Sequence, residues 1–384
     1  MKKKKLLIML LVFAMIFTIA LSGCGGESDD SDTEDKGTDG EDTEEPDDSD
    51  MAEDQTLRIN WQSEPPSLDP QISQDATSSR ILIDTLEGII RMDEDGVPEE
   101  GSGMAESWDI NEDETVYTFH LRDANWSDGE PVTANDFVFS WLRALDPEVA
   151  STYAFMAYDI KNAEAYNTGE IDDPEEVGLK AVDDKTLEVT LERPAPTFLS
   201  KLQHSTFLPA REDKVEEWGD KYAAEVEYLL SCGPFKVVEW EHESELVLEK
   251  NEDYWNADTV KLERIEGVMV NDSNTMINLY ETGEIDWTAV PSQYLEKYAD
   301  EVNTYPKASA FYYTYNVENE FFANKKIRQA FSMAMDRTQV QESRTQGIVP
   351  PAWGFVPPGL PGPEGKTFRE ANGDLITDIG NGST

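Results

Sequence analysis

The amino-acid sequence predicts a body of mixed α and β structure that is divided into two or three lobes. The chain has 384 residues, and a domain usually contains about 100–200 residues. Patterns typical of strands and of helices alternate along the chain, and an apolar content of 39% is enough to build packed cores. The formal net charge is −49, which argues against nucleic acid as a partner because phosphates are bound by clustered Lys and Arg.

Residues 1–23 predict a lipoprotein signal peptide. Lysines at the start precede an apolar run over 6–21, which is shorter than the roughly 20 residues that a spanning helix needs. The ending Leu-Ser-Gly-Cys at 21–24 resembles the lipobox of bacterial lipoproteins. That resemblance implies a diacylglycerol on Cys24 and attachment to the extracytoplasmic face of the bacterial cell membrane; the alternative is an uncleaved anchor with an incidental cysteine.

Residues 24–54 predict a disordered acidic tether. Almost every charged residue in this segment is acidic, and apolar side chains are nearly absent. Folding the segment would therefore bury too little apolar surface to offset its loss of conformational entropy. The body over 55–384 is also acidic, which a high-salt or alkaline habitat would explain. If Cys24 is acylated, Cys232 has no partner in the chain and is expected to be a small packed residue.

The body contains strand patterns with a two-residue period and helix patterns with recognisable ends. Thr133 with Asp136 forms a variant of the capping box, followed by an apolar stripe that we interpret as core. Gly283 ends another helix, and Asn324 caps a later one. The predicted helices span 77–87, 272–282 and the segments that follow Thr133 and Asn324. The predicted strands span 57–61, 115–122, 186–192, 235–240, 245–250 and 311–316.

The groups that carry most enzyme chemistry are missing from the sequence. There is no phosphate-binding loop of the Gly-Lys-Ser type and no nucleophile elbow. The three histidines, His120, His204 and His242, are far apart and do not have the spacing of metal ligands. We therefore expect no catalytic residue, no metal and no cofactor, and a secreted binding protein rather than an enzyme.

A series of motifs then points to a family. The longest is Trp-Ser-Asp-Gly-Glu-Pro-Val-Thr-Ala-Asn-Asp-Phe-Val at 126–138. The others lie at 64–70, 86–88, 105–108, 117–122, 248–255, 283–286, 326–337 and 354–358. In this order the chain resembles the oligopeptide-binding proteins of ABC importers, the solute-binding proteins of family 5.

The resemblance implies an α/β fold of the periplasmic-binding-protein type II class, with three domains arranged as two lobes that close over a ligand. Domain I would take 57–86 and 211–308, domain II would take 87–210, and 309–384 would begin domain III. The C-terminal part of the family fold is expected to be missing. The partners would be an oligopeptide ligand, an ABC permease and ATPase complex and the membrane, which the lipid anchor contacts, and the protein would be a monomer.

The resemblance also implies candidate peptide-binding residues. In the family an extended peptide is held largely through its backbone, as an added strand. The matching stretch here is 74–76, the matching aromatic wall is Tyr153, and the matching strand is 311–316. The candidates are Gln74, Asp75, Ala76, Tyr153, Tyr312 and Tyr313. Tyr153 could instead be ordinary core, and so could any of the strand tyrosines.

Other ligands and roles remain open at this point. The solute could be an oligosaccharide, a dipeptide or a nickel complex, although scarce histidine disfavours nickel. The protein could also be a receptor for signalling peptides that delivers nothing to a permease. Since family members are much longer, we expect weak peptide binding and poorly cooperative unfolding from this chain.

Overall fold

The computed structural model describes residues 52–93, 96–304, 309–360 and 362–373. The predicted signal peptide, Cys24 and the predicted tether up to residue 51 lie outside the described residues. At the other end of that tether, the carboxylate of Asp54 accepts a hydrogen bond from Arg58 Nη2 at 2.8 Å. In the part of the chain that is described, no helix is both long enough and apolar enough to cross a bilayer.

Strands and helices alternate through the described chain. The strands are β1 (Thr56–Asn60), β2 (Arg91–Met92), β3 (Pro98–Glu99), β4 (Ala105–Ile110), β5 (Val116–Leu121), β6 (Leu179–Asp183), β7 (Thr186–Thr190), β8 (Phe235–Glu241), β9 (Glu245–Lys250) and β10 (Arg264–Val268). The α-helices are α1 (Ala76–Thr85), α2 (Ala134–Leu145), α3 (Ala163–Asn167), α4 (Phe198–Lys201), α5 (Glu212–Trp218), α6 (Ser273–Thr282), α7 (Glu320–Ala323), α8 (Lys325–Ala334), α9 (Arg337–Thr345) and α10 (Phe368–Asn372). Short 3-10 helices lie at Ala154–Ala157, Pro174–Glu176, Ser205–Phe207, Gly219–Lys221, Val226–Tyr228, Ala257–Thr259, Ser292–Tyr294 and Pro363–Gly365.

The first sheet brings together segments that are far apart in the sequence. Its strand order is β1-β10-β9-β8, with β1 parallel to β10 and the other neighbours antiparallel. Leu246 and Leu248 of the central strand β9 are fully buried, and α1 packs against β8. The sheet therefore joins the beginning of the body to residues around 235–268.

The second sheet is built from one continuous stretch of chain. Its strand order is β4-β5-β7-β6, all antiparallel. Along β5 the side chains of Tyr117, Phe119 and Leu121 are buried and alternate with partly exposed ones, as the two-residue period predicts. Helix α2 packs on β6 and β7.

Helix ends follow the predicted capping signals. Thr133 N donates to Asp136 Oδ2 at 2.8 Å, which closes the capping box before α2. Gly283 ends α6 with φ +76, a left-handed conformation that glycine adopts without strain. Asn324 accepts the N–H of Lys326 and begins α8.

Polar links join the two sheets across one shared core. Arg143 of α2 donates to both carboxylate oxygens of Asp69, at 2.7 and 2.6 Å. Ser127 N donates to Ser231 O at 2.7 Å. The buried carboxylate of Glu87 accepts bonds from Arg91, at 2.8 and 3.1 Å, and from Tyr254 Oη. Because each of these links is partly or fully screened from water, the sheets are held in one arrangement.

The predicted strand over 311–316 is wrong. These residues form no strand, and Phe311 is 90% exposed. The segment is rich in β-forming aromatic residues, but no described segment pairs with it. An isolated strand has no partner for its backbone hydrogen bonds, so propensity alone does not produce one. The assignment of 57–86 and 211–308, 87–210 and 309–384 to three domains stays a prediction.

Candidate functional site

A groove of about 380 Å³ opens between helix α1 and the segment around α4. Ser79 and Ile83 face it from α1, one helical turn apart, so that they share one side of the helix. The opposite wall consists of Thr197, Ser200, Lys201, Gln203, His204 and Ser205, together with Met156. Ser79 Oγ and Ser205 Oγ lie 3.5 Å apart across the groove.

His204 presents a neutral hydrogen-bond donor to this groove. Thr206 N donates to His204 Nδ1 at 3.2 Å, so the neutral ring carries its proton on Nε2. Burial lowers the pKa of His204, which keeps the ring uncharged near neutral pH. Tyr153 packs against this ring with centroids 4.5 Å apart, and the predicted aromatic wall therefore borders the groove through His204.

The predicted stretch 74–76 lies at the start of α1, one turn before Ser79. Asp75 is the N-cap, and its carboxylate accepts bonds from Ser78 N at 2.9 Å and Ser78 Oγ at 2.6 Å. That carboxylate is therefore engaged in holding the helix start. Gln74 and Ala76 are exposed. The carbonyl of Asp75 also accepts the N–H of Ser79, so Gln74 and Ala76 are the parts of the stretch that face solvent.

Tyr312 and Tyr313 are not among the residues that line the groove. They are 63% and 77% exposed, and the ring of Tyr312 packs on Phe355 with centroids 5.3 Å apart. None of the predicted site residues lines the groove itself: Tyr153 packs on His204 of its wall, the stretch 74–76 begins the helix that carries Ser79, and the two strand tyrosines lie elsewhere.

A second depression, of about 230 Å³, lies where β1 ends. Its lining includes Gln62, Asn271, Ser273 and Val290. Beside it, the guanidinium of Arg80 stands 5.3 Å from the ring centroid of Trp61 and 4.9 Å from that of Trp287. Arg80 comes from the face of α1 next to the one that carries Ser79 and Ile83.

Most of the residues that line the groove are not predicted as site residues from the sequence. Ser79, Ile83 and Arg80 belong to a helix predicted without a functional role, and His204 enters the sequence analysis only as one of three histidines without the spacing of metal ligands. The helical spacing of Ser79 and Ile83 is the one signal that was available. None of the residues lining the groove is a carboxylate.

The chemistry of the groove suits hydrogen bonding to a neutral, extended ligand. Hydroxyls, an amide and a neutral imidazole can pair with peptide-like donors and acceptors. Lys201 is paired with Asp159 at 2.5 Å, so its charge is balanced within the wall. Within the described residues, no three His, Cys, Asp or Glu side chains form a group that could hold a metal ion. Cys232 is buried, and burial raises the pKa of its thiol.

The chain is similar in sequence to a known protein family and to several of its members. The model of bacterial extracellular solute-binding proteins, family 5 Middle, matches residues 101–375. The chain is 40% identical over 326 residues to the dipeptide-binding protein DppE of Bacillus subtilis, covering 84% of this chain and 59% of the relative. It is 38% identical over 379 residues to the oligopeptide-binding protein OppA of the same organism, covering 94% of this chain and 65% of the relative.

A solved structure shows the same fold. The substrate-binding domain of an oligopeptide ABC transporter from Bacillus anthracis superposes with a TM-score of 0.73 at 36% sequence identity, covering 85% of this chain and 65% of that chain. This likeness confirms the predicted α/β fold of a periplasmic-binding protein, and the family agrees with the prediction of a binding protein rather than an enzyme.

The chain spans less than two thirds of the length of these relatives. The family model nevertheless covers most of the sequence, including β4 to β10 of the two sheets. The chain therefore belongs to the bacterial extracellular solute-binding proteins of family 5.

Proposed function

We propose that the protein captures oligopeptides outside the cytoplasm and delivers them to an ABC importer. Two relatives carry the names dipeptide-binding and oligopeptide-binding protein, and the solved neighbour is the substrate-binding domain of an oligopeptide ABC transporter. In the proposed arrangement the peptide lies against domains I and II, assigned as in the sequence analysis, and a third domain begins at residue 309. The protein would act as a monomer.

One observation carries the proposal. The stretch 74–76 and Tyr153 are separated by about a fifth of the chain, and a family resemblance nominated each of them independently. Helix α1 begins in this stretch and lines the groove through Ser79 and Ile83, and Tyr153 packs on His204 of the opposite wall. A polar groove whose two walls adjoin these two segments would suit an extended peptide.

The binding mode follows from the groups available. The exposed backbone at 74–76 would pair with the peptide backbone as an added strand, which is independent of peptide sequence. The neutral donors and acceptors of the groove would take a side chain or bridging waters. Tyr153 would extend the wall of the groove as an apolar surface packed against His204.

Mass spectrometry of ligand that co-purifies with the full chain, followed by calorimetry with short peptides, tests this function. We expect bound peptides a few residues long with little sequence preference. Tyr153→Ala should weaken peptide binding by roughly 1–2 kcal/mol. Tyr228→Ala is the matched control, because that tyrosine packs on Trp218 and should leave affinity unchanged. Binding of an oligosaccharide, without binding of peptides, would contradict the proposal.

We also propose that Cys24 carries the lipid that anchors the protein. The support is the basic start, the short apolar run and the Leu-Ser-Gly-Cys ending of residues 1–24. Several acyl chains bury enough methylene groups, at about 0.8 kcal/mol each, to hold a protein on a bilayer. Cys24→Ala should release the protein from membranes or leave an uncleaved precursor. Unchanged partitioning of this variant into detergent would contradict the lipid anchor.

A further inference from the structure

Arg80 is held between two tryptophan rings. Its guanidinium carbon lies 5.3 Å from the ring centroid of Trp61 and 4.9 Å from that of Trp287, both within the range of a cation–π interaction. A guanidinium held over aromatic rings can still use its N–H donors for hydrogen bonds.

The ring of Trp61 and the backbone of Trp287 are held by further contacts. Trp61 is buried, and its indole N–H donates to Leu246 O at 3.0 Å. A Cβ at Gly267 would come within 1.8 Å of Trp61 Nε1, which shows how closely the backbone of β10 passes that ring. Trp287 N donates to Arg58 O at 3.3 Å, and Trp287 forms a parallel bridge with Ile59. One ring of this pair, which we call the Trp61–Trp287 cage, is therefore anchored, and the backbone of Trp287 is fixed beside strand β1.

The in-plane donors of Arg80 have no acceptor among the described residues. No carboxylate of the described chain lies within 4.0 Å of its guanidinium, although acids outnumber bases by 80 to 31. The carboxylate of Asp84 is one turn along the same helix, and burial raises its pKa to about 6. The charge of Arg80 lowers this pKa, but among the described contacts the two side chains form neither a hydrogen bond nor a salt bridge.

The cage adjoins the stretch proposed to pair with the peptide. Arg80 follows Ala76 by one turn of α1, and Thr77 Oγ1 donates to Trp61 O at 3.4 Å. Arg80 is exposed, and Trp287 is 42% exposed, so a ligand bound along 74–76 can reach both. The overall charge of −49 repels anions at long range, so an anionic group of a ligand needs a local cation.

We propose that Arg80 binds a carboxylate of the captured peptide through bidentate hydrogen bonds. The rings of the Trp61–Trp287 cage would hold its guanidinium in position for these bonds. This inference rests on the proposed peptide-binding function and names the chemical group that Arg80 recognises. The carboxylate is either the α-carboxylate at the peptide C-terminus or an Asp or Glu side chain. A planar guanidinium matches a planar carboxylate with two parallel hydrogen bonds.

Calorimetry on the full chain with two pairs of peptides separates these sources. The first pair is tri-alanine and tri-alanine amide, which differ only at the C-terminus. The second pair is Ala-Glu-Ala amide and Ala-Gln-Ala amide, which differ only in the side chain. We expect the wild type to prefer the acid member of one pair by about ten- to hundredfold. In Arg80→Gln that preference should fall to near unity, while binding of the neutral member stays within about twofold.

Two further variants make the result specific. Arg80→Lys keeps the charge without the planar fork and should retain only part of the preference. Arg193→Gln removes the same charge at another exposed arginine and should keep the whole preference. Circular dichroism and thermal melting establish that each variant folds.

The outcomes distinguish the inference from the function on which it rests. Peptide binding with equal acid-to-neutral ratios in the wild type and Arg80→Gln would overturn the role of Arg80 and leave the peptide function standing. Absence of any peptide binding by the folded wild type would overturn both.

Discussion

Residues 54–304 and residues 309–373 differ sharply in how they are packed. We call these the N-terminal region and the C-terminal region. Every buried residue of the described chain lies in the N-terminal region, and Tyr298 is the last of them. Among the described residues of the C-terminal region none is buried, and Phe311, Tyr313 and Phe355 are largely exposed.

Helices α2 and α8 show what this difference teaches. Each begins at a side-chain cap, at Thr133 with Asp136 and at Asn324, and each carries an apolar stripe. Phe137 of α2 is 0% exposed, whereas Phe331 of α8 is 50% exposed. Phe331 packs in an aromatic cluster with Tyr315, Phe321 and Phe322, which are themselves not buried. Local signals are thus enough to start a helix, but burial requires a second surface.

The largest expected difference between the regions is in hydrogen exchange. Amides of α2 should exchange only through global unfolding, with an opening free energy of about 5–15 kcal/mol. Amides of α8 and α9 should open at about 2 kcal/mol or less, because no buried contact holds them. Exchange measured by mass spectrometry on the full chain checks this. Equal protection in α2 and α8 would show that the C-terminal region is packed after all.

A matched pair of substitutions tests the same difference in stability. Phe137→Ala should lower the free energy of unfolding by about 3–5 kcal/mol, because it leaves a cavity in the core. Phe331→Ala should lower it by less than about 1 kcal/mol, since half of the ring already faces water. Urea denaturation followed by fluorescence gives both values. A cost at Phe331 similar to that at Phe137 would contradict the comparison.

The smallest effect concerns Asp84, whose burial in the N-terminal region raises its pKa from 3.8 to about 6. The charges of Arg80 and Arg91 lower the pKa, but desolvation outweighs them. A raised folded-state pKa means that the folded protein binds more protons between pH 4 and 6, so its stability falls as pH rises through that window. Asp84→Asn should therefore stabilise the protein at pH 7.5 by about 1–2 kcal/mol.

Two controls test the prediction for Asp84: the same measurement at low pH, and a substitution at an exposed carboxylate elsewhere. At pH 3.5 the carboxyl is protonated in the folded state and about two thirds protonated in the unfolded state, so the gain from Asp84→Asn should shrink to roughly 0.3 kcal/mol. Glu342→Gln, on the exposed surface of α9, should change stability by less than about 0.5 kcal/mol at either pH. A gain from Asp84→Asn that is independent of pH would show that burial does not raise the pKa of Asp84.

The predicted strands and helices are confirmed where the local sequence signal is strong and a segment that packs on them or pairs with them is present. The alternation of Tyr117, Phe119 and Leu121 identified β5, and the capping pattern at Thr133 identified α2. Strands β4, β6 and β10 were not predicted, because their sequences do not alternate cleanly and their pairing with neighbours defines them. The predicted strand over 311–316 is wrong for the opposite reason. Its residues have a high β propensity, but no described segment pairs with it.

The sequence by itself determined that the protein is a family 5 binding protein with a lipobox-like start, because ordered motifs and a signal pattern are local information. It nominated 74–76 and Tyr153 through the same motifs. Only the tertiary structure decided that Tyr153 packs on His204 in the wall of the groove that α1 lines, and that two tryptophans flank Arg80. Those contacts join segments up to about 200 residues apart, and such separations are set by packing around a shared core rather than by any local pattern.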